Sequence, residues 1–135
     1  MKFYFYNWFP IPILITLLIL CSCESFLDIK VGILWNDDPH VSQSDSVYLG
    51  ILQGKWDSES GFDCVLLDTT EVLVGVNRCY SFSINTDDSD NYTAFIFFDS
   101  NGNGKYDDGY DSVLGYKYNY GESGGDLEIS LSAYY

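Results

Sequence analysis

Apolar and polar residues alternate with a period of two along most of this chain, and that pattern limits it to strands. In the run LDIKVGILW, Leu27, Ile29, Val31, Ile33 and Trp35 fall on one face. Val47, Leu49 and Ile51 do the same in VYLGILQG, and Tyr80, Phe82 and Ile84 in CYSFSI. In DLEISLSA, Leu127, Ile129, Leu131 and Ala133 oppose Glu128, Ser130 and Ser132. A strand sends successive side chains to opposite faces, so each of these runs has one face to bury and one to wet. YTAFIFF breaks the alternation because it is apolar on both faces. Such a run belongs in the middle of a packed sheet. No segment carries the 3.6-residue period of an amphipathic helix.

The two runs FDCVLL and EVLVGV, joined by Asp68-Thr69-Thr70, and SVLGYKYNY bring the expected count to about eight short strands. In the last run Leu114, Tyr116, Tyr118 and Tyr120 are expected on one face. Turn-forming clusters separate the strands at Asn36-Asp37-Asp38-Pro39, at residues 57–61, 86–91 and 121–126. Many short strands without helices argue for a single all-β domain, an antiparallel β-sandwich, over residues 27–135.

The first 23 residues do not read as fold. Lys2 opens them, an apolar run is densest from Ile11 to Leu20, and cysteines and a serine follow. This is the layout of a secretory signal peptide, and the dense run is too short to span roughly 30 Å of hydrocarbon as a helix. Leu20-Cys21-Ser22-Cys23 resembles the lipobox of bacterial lipoproteins, with Leu20 three residues before the cysteine and the small Ser22 just before it. That resemblance covers the first 23 residues only. It implies a signal peptide at 1–22, a lipid on Cys23, a tether at 23–26, and a protein held on the membrane of the bacterial cell envelope. The aromatics Phe3, Tyr4, Phe5, Tyr6 and Trp8 make its amino-terminal region unusual.

Twenty acidic residues against six basic ones give a formal charge of −14 over 135 residues. A surface of that sign cannot replace the counterions of a phosphate backbone, so nucleic acid is excluded as a partner. Anionic lipid headgroups repel it too, so attachment to a membrane rests on the lipid. With Cys21 removed and Cys23 lipidated, Cys64 and Cys79 are the remaining pair. An exported compartment permits a Cys64–Cys79 disulfide, worth roughly 3 kcal/mol by loop entropy. The alternative is two reduced thiols. Two cysteines and the single His40 make no closed zinc site.

One stretch points to chemistry, FFDSNGNGKYDDGYD at 97–111. Asp99, Asn101 and Asn103 stand at alternate positions, Gly104 follows, and Asp107 comes later. This matches D-x-[DN]-x-[DN]-G, in which oxygens recur along a sharp turn and a glycine permits the bend. The carbonyl of Lys105 would complete the spacing. The bidentate acid expected at position twelve is replaced by Tyr110, so Asp111 or Asp108 must stand in. The loop resembles the calcium loops of repeated β-sandwich domains in bacterial surface proteins, and the Asp/Asn/Gly loops of prealbumin-like modules in exported lipoproteins. The likeness covers roughly residues 92–115. It implies an immunoglobulin-like or prealbumin-like sandwich and Ca2+ held by Asp99, Asn101, Asn103, Lys105, Asp107 and Asp111. The plain alternative is a polar hairpin, since Asn-Gly is a strong turn signal on its own. A hairpin needs only one such pair, and the crowded aspartates repel one another without a cation. A second acidic cluster, Asp87-Asp88-Ser89-Asp90, precedes the same strand and is expected at the opposite pole.

Nothing marks an enzyme. His40 stands in a polar segment with Ser42, Ser44, Asp45 and Ser46, but triads assemble across a fold and not along one loop. No nucleophile elbow, P-loop or HExxH pattern occurs. A binding role fits better. Some of the twelve tyrosines, nine phenylalanines and three tryptophans must fill the core, but Tyr118, Tyr120, Tyr134 and Tyr135 near loops or the terminus are candidates for a face that meets protein or glycan; buried between the sheets they would be core packing instead.

Overall fold

The structure is a computed structural model, and it describes residues 24–36, 45–56 and 64–134. Seven strands occupy them: β1 (Phe26–Asn36), β2 (Val47–Gln53), β3 (Val65–Glu71), β4 (Arg78–Asn85), β5 (Asp90–Phe98), β6 (Ser112–Gly121) and β7 (Asp126–Tyr134). They form two sheets, one ordered β4-β1-β7 and the other β3-β2-β5-β6, which makes the domain an all-β sandwich. The signal-peptide and Cys23 expectations lie outside the described residues, as does His40.

The alternation sets the core. All five expected β1 residues are buried, as are Val47, Leu49 and Ile51 of β2 and Leu127, Ile129, Leu131 and Ala133 of β7. Phe82 and Ile84 of β4 and Tyr92, Ala94 and Ile96 of β5 complete the packing between the sheets. Their opposite faces stay wet on β1, β4 and β7.

Four details depart from expectation. The sandwich is not wholly antiparallel, because β1 and β7 pair in parallel, from Asp28 beside Asp126 to Asn36 beside Tyr134. Parallel neighbours need a long connection, and the first and last strands have the whole domain between them. Second, EVLVGV is not a strand. Glu71 ends β3, and the following segment turns at Val74-Gly75 while Val72 and Val74 plug the core. Its apolar residues reach the core from a loop, so seven strands replace the expected eight. Third, a bulge interrupts β5–β6: Ile96 pairs Gly115 and Phe97 pairs Val113, leaving Leu114 as the extra residue. A bulge re-aims the side chains beyond it. Leu114 therefore packs against the core, while Tyr116 stands opposite Phe95 on the outer face. Gly115 has no side chain to obstruct β7, whose Ser132 carbonyl comes within contact distance of where a Cβ would stand.

The fourth concerns the cysteines. Cys64 and Cys79 are both thiols, not partners in one disulfide. Cys79 alternates with the inward Tyr80 and Phe82 on β4, so it looks out from the three-stranded sheet beside Gly32. Cys64 packs beside Gly54 against a cluster on the outside of the four-stranded sheet. The two sulfurs thus lie on opposite outer faces. The thickness of a sandwich, about 10 Å between sheets, exceeds anything a 2 Å bond can bridge.

That outer cluster explains why YTAFIFF is apolar on both sides. Phe95 and Phe97 point away from the inter-sheet core, yet both are fully buried with Leu52 and Trp56. Gly50 on β2 lies under the Phe95 ring. A Cβ there would stand 2.8 Å from Cζ and closer still to Cε1.

Candidate metal-binding loop

The loop from Asp99 to Asp111 joins β5 to β6 at one pole of the sandwich. Its root is fixed where the Asp99 N–H donates to the Ser46 carbonyl at 3.0 Å. Asp99 is only 4 % exposed. Its Oδ1 accepts from the N–H groups of Gly102 (2.8 Å) and Asn103 (3.3 Å), and its Oδ2 from Gly104 (2.7 Å). The chain can wrap around this carboxylate because Gly102 and Gly104 adopt φ of +72° and +71°, which other residues take only with strain. Asp111, also buried, ties the two legs of the loop. Its Oδ1 accepts from Ser100 N–H at 2.9 Å and its Oδ2 from Asp107 N–H at 2.7 Å.

The side chains of Asn101, Asn103 and Asp107 meet on the open side of the loop. Asp107 Oδ2 accepts from Asn101 Nδ2 at 2.7 Å and from Asn103 Nδ2 at 2.6 Å. The amide oxygens face the backbone instead, accepting from Asn103 N–H at 3.0 Å and Lys105 N–H at 2.7 Å. The two amide donors hold the Asp107 carboxyl below its ordinary range, with a smaller contribution from the Lys105 charge.

The sixth expected ligand, Lys105, was to offer its backbone carbonyl, and the five expected side chains divide. Asn101, Asn103 and Asp107 come together, whereas Asp99 and Asp111 are turned toward backbone N–H groups. Among the described residues, no three His, Cys, Asp or Glu side chains gather as a metal-holding group. The donor chemistry nevertheless suits calcium. Three carboxylates, two amide oxygens and the Lys105 carbonyl are all hard oxygen donors, and a carboxylate oxygen with one N–H partner keeps a second lone pair. A cation beside Asp107 requires Asn101 and Asn103 to present oxygen where they now present nitrogen.

Tyr106 is the residue that the motif spacing did not reveal. From the middle of the polar loop its ring folds back over the outer sheet face, edge-on to Phe95 and to Phe97, with centroids 5.4 Å away in each case. Burial first, then the charges of Asp108 and Asp111 and a hydrogen bond with Asp108, raises its phenol above the ordinary tyrosine value. The sequence signal was indirect: two outward phenylalanines on β5 had to be covered, and of the two aromatics in the following loop Tyr106 covers them while Tyr110 stays exposed.

The tyrosine face is partly as expected. Tyr118 and Tyr120 are exposed on the outer face of β6, and Tyr116 joins them in one stripe. Lys55 Nζ stands 4.6 Å above the Tyr118 ring, and Trp56 meets Tyr116 edge-on at 4.5 Å. Tyr134 does not belong to this stripe. It is exposed on the opposite sheet, and Tyr135 lies outside the described residues. The second acidic cluster, Asp87 to Asp90, sits at the far end of β5 from the Asp99 loop, as its spacing predicts.

Compared with known proteins, the chain matches no family model, no curated sequence and no solved structure.

Proposed function

We propose that this chain is a lipid-anchored protein of the bacterial cell envelope, with a structural or binding role and no catalysis of its own. The sandwich is of the immunoglobulin-like or prealbumin-like kind, and calcium in the 99–111 loop stabilises it. The observation that carries the calcium reading is the meeting of Asn101, Asn103 and Asp107 on one carboxylate oxygen, above a loop built on two buried aspartates. Calcium there would draw the two amides round and lock the loop. Tyr106, in the same loop, would transmit that order to the outer aromatic cluster. The ion's part is to hold oxygens in place, so its loss is expected to loosen the fold and not to remove an activity.

Titrating calcium into the protein in a calorimeter tests the metal, with Asp107→Ala as the control. Saturable binding that Asp107→Ala removes supports the reading, and no heat at millimolar calcium refutes it. Incorporation of labelled fatty acid, lost in Cys23→Ala, tests the anchor.

The exposed Tyr116, Tyr118 and Tyr120 stripe favours a second reading, a metal-free adhesin or inhibitor-type protein that meets protein or glycan through this face. Aromatic faces give contact area at low entropic cost. On this reading the pair Tyr118→Ser and Tyr120→Ser abolishes retention on glycan-coated or protein-coated surfaces while the melting temperature holds.

A further inference from the structure

We infer that the pole of the sandwich holding the 86–90 and 122–126 loops faces the membrane, so that the 99–111 loop is presented on the far side, away from the bilayer. The inference rests on the lipid anchor at Cys23 proposed above. Three connections fix the start of the chain to that pole. Ser25 accepts from the Thr86 N–H at 3.0 Å, Phe26 pairs Asn85, and the Asp28 N–H donates to the Gly125 carbonyl at 3.1 Å. The two loops are also joined to each other, since the Ser123 N–H donates to Ser89 Oγ at 2.9 Å and Ser123 Oγ to the Thr86 carbonyl at 3.1 Å. From Cys23 to Phe26 there are three residues, which reach at most about 10 Å when fully extended. A tether that short cannot carry the body of the domain away from the bilayer or turn it over. β5 then runs from this pole to the other, and its nine residues put the 99–111 loop about 30 Å further out.

Charge decides which surface the pole meets. Glu24, Asp28, Asp87, Asp88, Asp90, Glu122 and Asp126 surround it and outnumber Lys30, which shares a surface depression with Asp28 and Asp126, and residues 85–92 and 119–127 contain no lysine or arginine. The nearby Lys55 is engaged over Tyr118. An anionic headgroup layer within a 10 Å tether lies about one Debye length away, so repulsion is not screened out. The surface that fits is zwitterionic, with ammonium groups outermost.

The full lipidated chain, carrying Cys64→Ser and Cys79→Ser, is reconstituted in phosphatidylethanolamine/phosphatidylcholine vesicles doped with a nickel-chelating lipid. A nitroxide is attached at Asn85→Cys or at Tyr110→Cys. Tyr110 is 76 % exposed at the far pole, so its label perturbs little. Relaxation of the label at 85 is expected to exceed that at 110 by at least about five-fold, and to drop when phosphatidylglycerol replaces phosphatidylethanolamine. Equal or reversed relaxation overturns the orientation, and indifference to phosphatidylglycerol overturns the choice of surface. Fatty-acid incorporation is measured on the same samples. Its absence refutes the anchor, and the inference with it, and is distinguishable from a lipidated protein that sits the other way.

Discussion

Tyr106 stands edge-on to Phe95, ring planes 88° apart and centroids 5.4 Å apart, so the acidic 99–111 loop is pinned to the outer aromatic face of the four-stranded sheet. The same tyrosine meets Phe97 at 5.4 Å and 83°. Order in the 99–111 loop and burial of the outer cluster are therefore one property. Removing the ring in Tyr106→Ala uncovers two phenylalanines and is expected to cost about 2–4 kcal/mol, toward the range of large aromatic deletions. Tyr106→Phe keeps the contact and should cost under about 1 kcal/mol. Urea unfolding of the two variants measures the difference.

Gly50 makes a complementary test from below. In Gly50→Ala the new methyl group meets the Phe95 ring, which is already held by Tyr106 and Phe97. Overpacking of this kind typically costs about 1–3 kcal/mol. At Gly102 nothing lies within 4 Å of an added Cβ, so Gly102→Ala tests backbone strain alone, at about 1 kcal/mol. Thermal melts should rank Gly50→Ala as the more harmful.

The pH dependence follows from two groups of opposite sign. The Tyr106 phenol is raised in the folded protein, chiefly by burial, so its neutral form is the one the fold prefers. Its contribution is fully present below the ordinary tyrosine value near 10 and is lost as pH rises above that toward the folded value. The Asp107 carboxyl is lowered, chiefly by Asn101 and Asn103, so its contribution is present above the ordinary value of 3.8 and lost as pH falls through the folded one. Stability should therefore fall above pH 10, and Tyr106→Phe should flatten that limb. An unchanged alkaline limb in Tyr106→Phe would show that the decline arises elsewhere.

Because the two thiols look out from opposite sheets, reducing agent should leave the melting temperature unchanged. A native disulfide would instead cost about 2–5 kcal/mol on reduction. A thiol reagent should modify the exposed Cys79 faster than the partly buried Cys64, and mass spectrometry of a time course reads the order.

How much of this was legible in the sequence varies with the kind of residue. The inter-sheet core could be read almost residue by residue, because Leu127 to Ala133 alternate without interruption and Leu27 to Trp35 do so except at the outward Leu34. Leu114 and Tyr116 could not, since a bulge between them changes face without changing the letters. Val72 and Val74 look like strand residues and reach the core from a loop. The parallel β1–β7 pair leaves no local trace, because both strands read alike in either direction. Only elimination pairs Cys64 with Cys79, and elimination says nothing about which side of a sheet a sulfur faces. In the loop, the alternate Asp and Asn residues do make the expected turns. Their spacing did not show that Asp99 and Asp111 serve the backbone while Asp107 collects the two amides.

That division makes Asp107, and not Asp99, the residue to change in testing the calcium claim. Asp99→Ala strips the Gly102 and Gly104 N–H groups of their acceptor, leaves the Asn103 N–H with Asn101 Oδ1 alone, and weakens the loop with or without metal. The deciding measurement is the thermal unfolding midpoint of the protein and of Asp107→Ala, each in excess calcium and then in chelator. A ligand at a hundred times its dissociation constant adds about 2.7 kcal/mol, which raises the midpoint of a domain of this size by roughly 10 °C. Such a rise is expected for the parent protein, with its loss in chelator and little or no rise in Asp107→Ala. Identical midpoints for the parent protein in millimolar calcium and in chelator would contradict the calcium claim, and would leave the loop as a polar cap held by its own aspartates and by Tyr106.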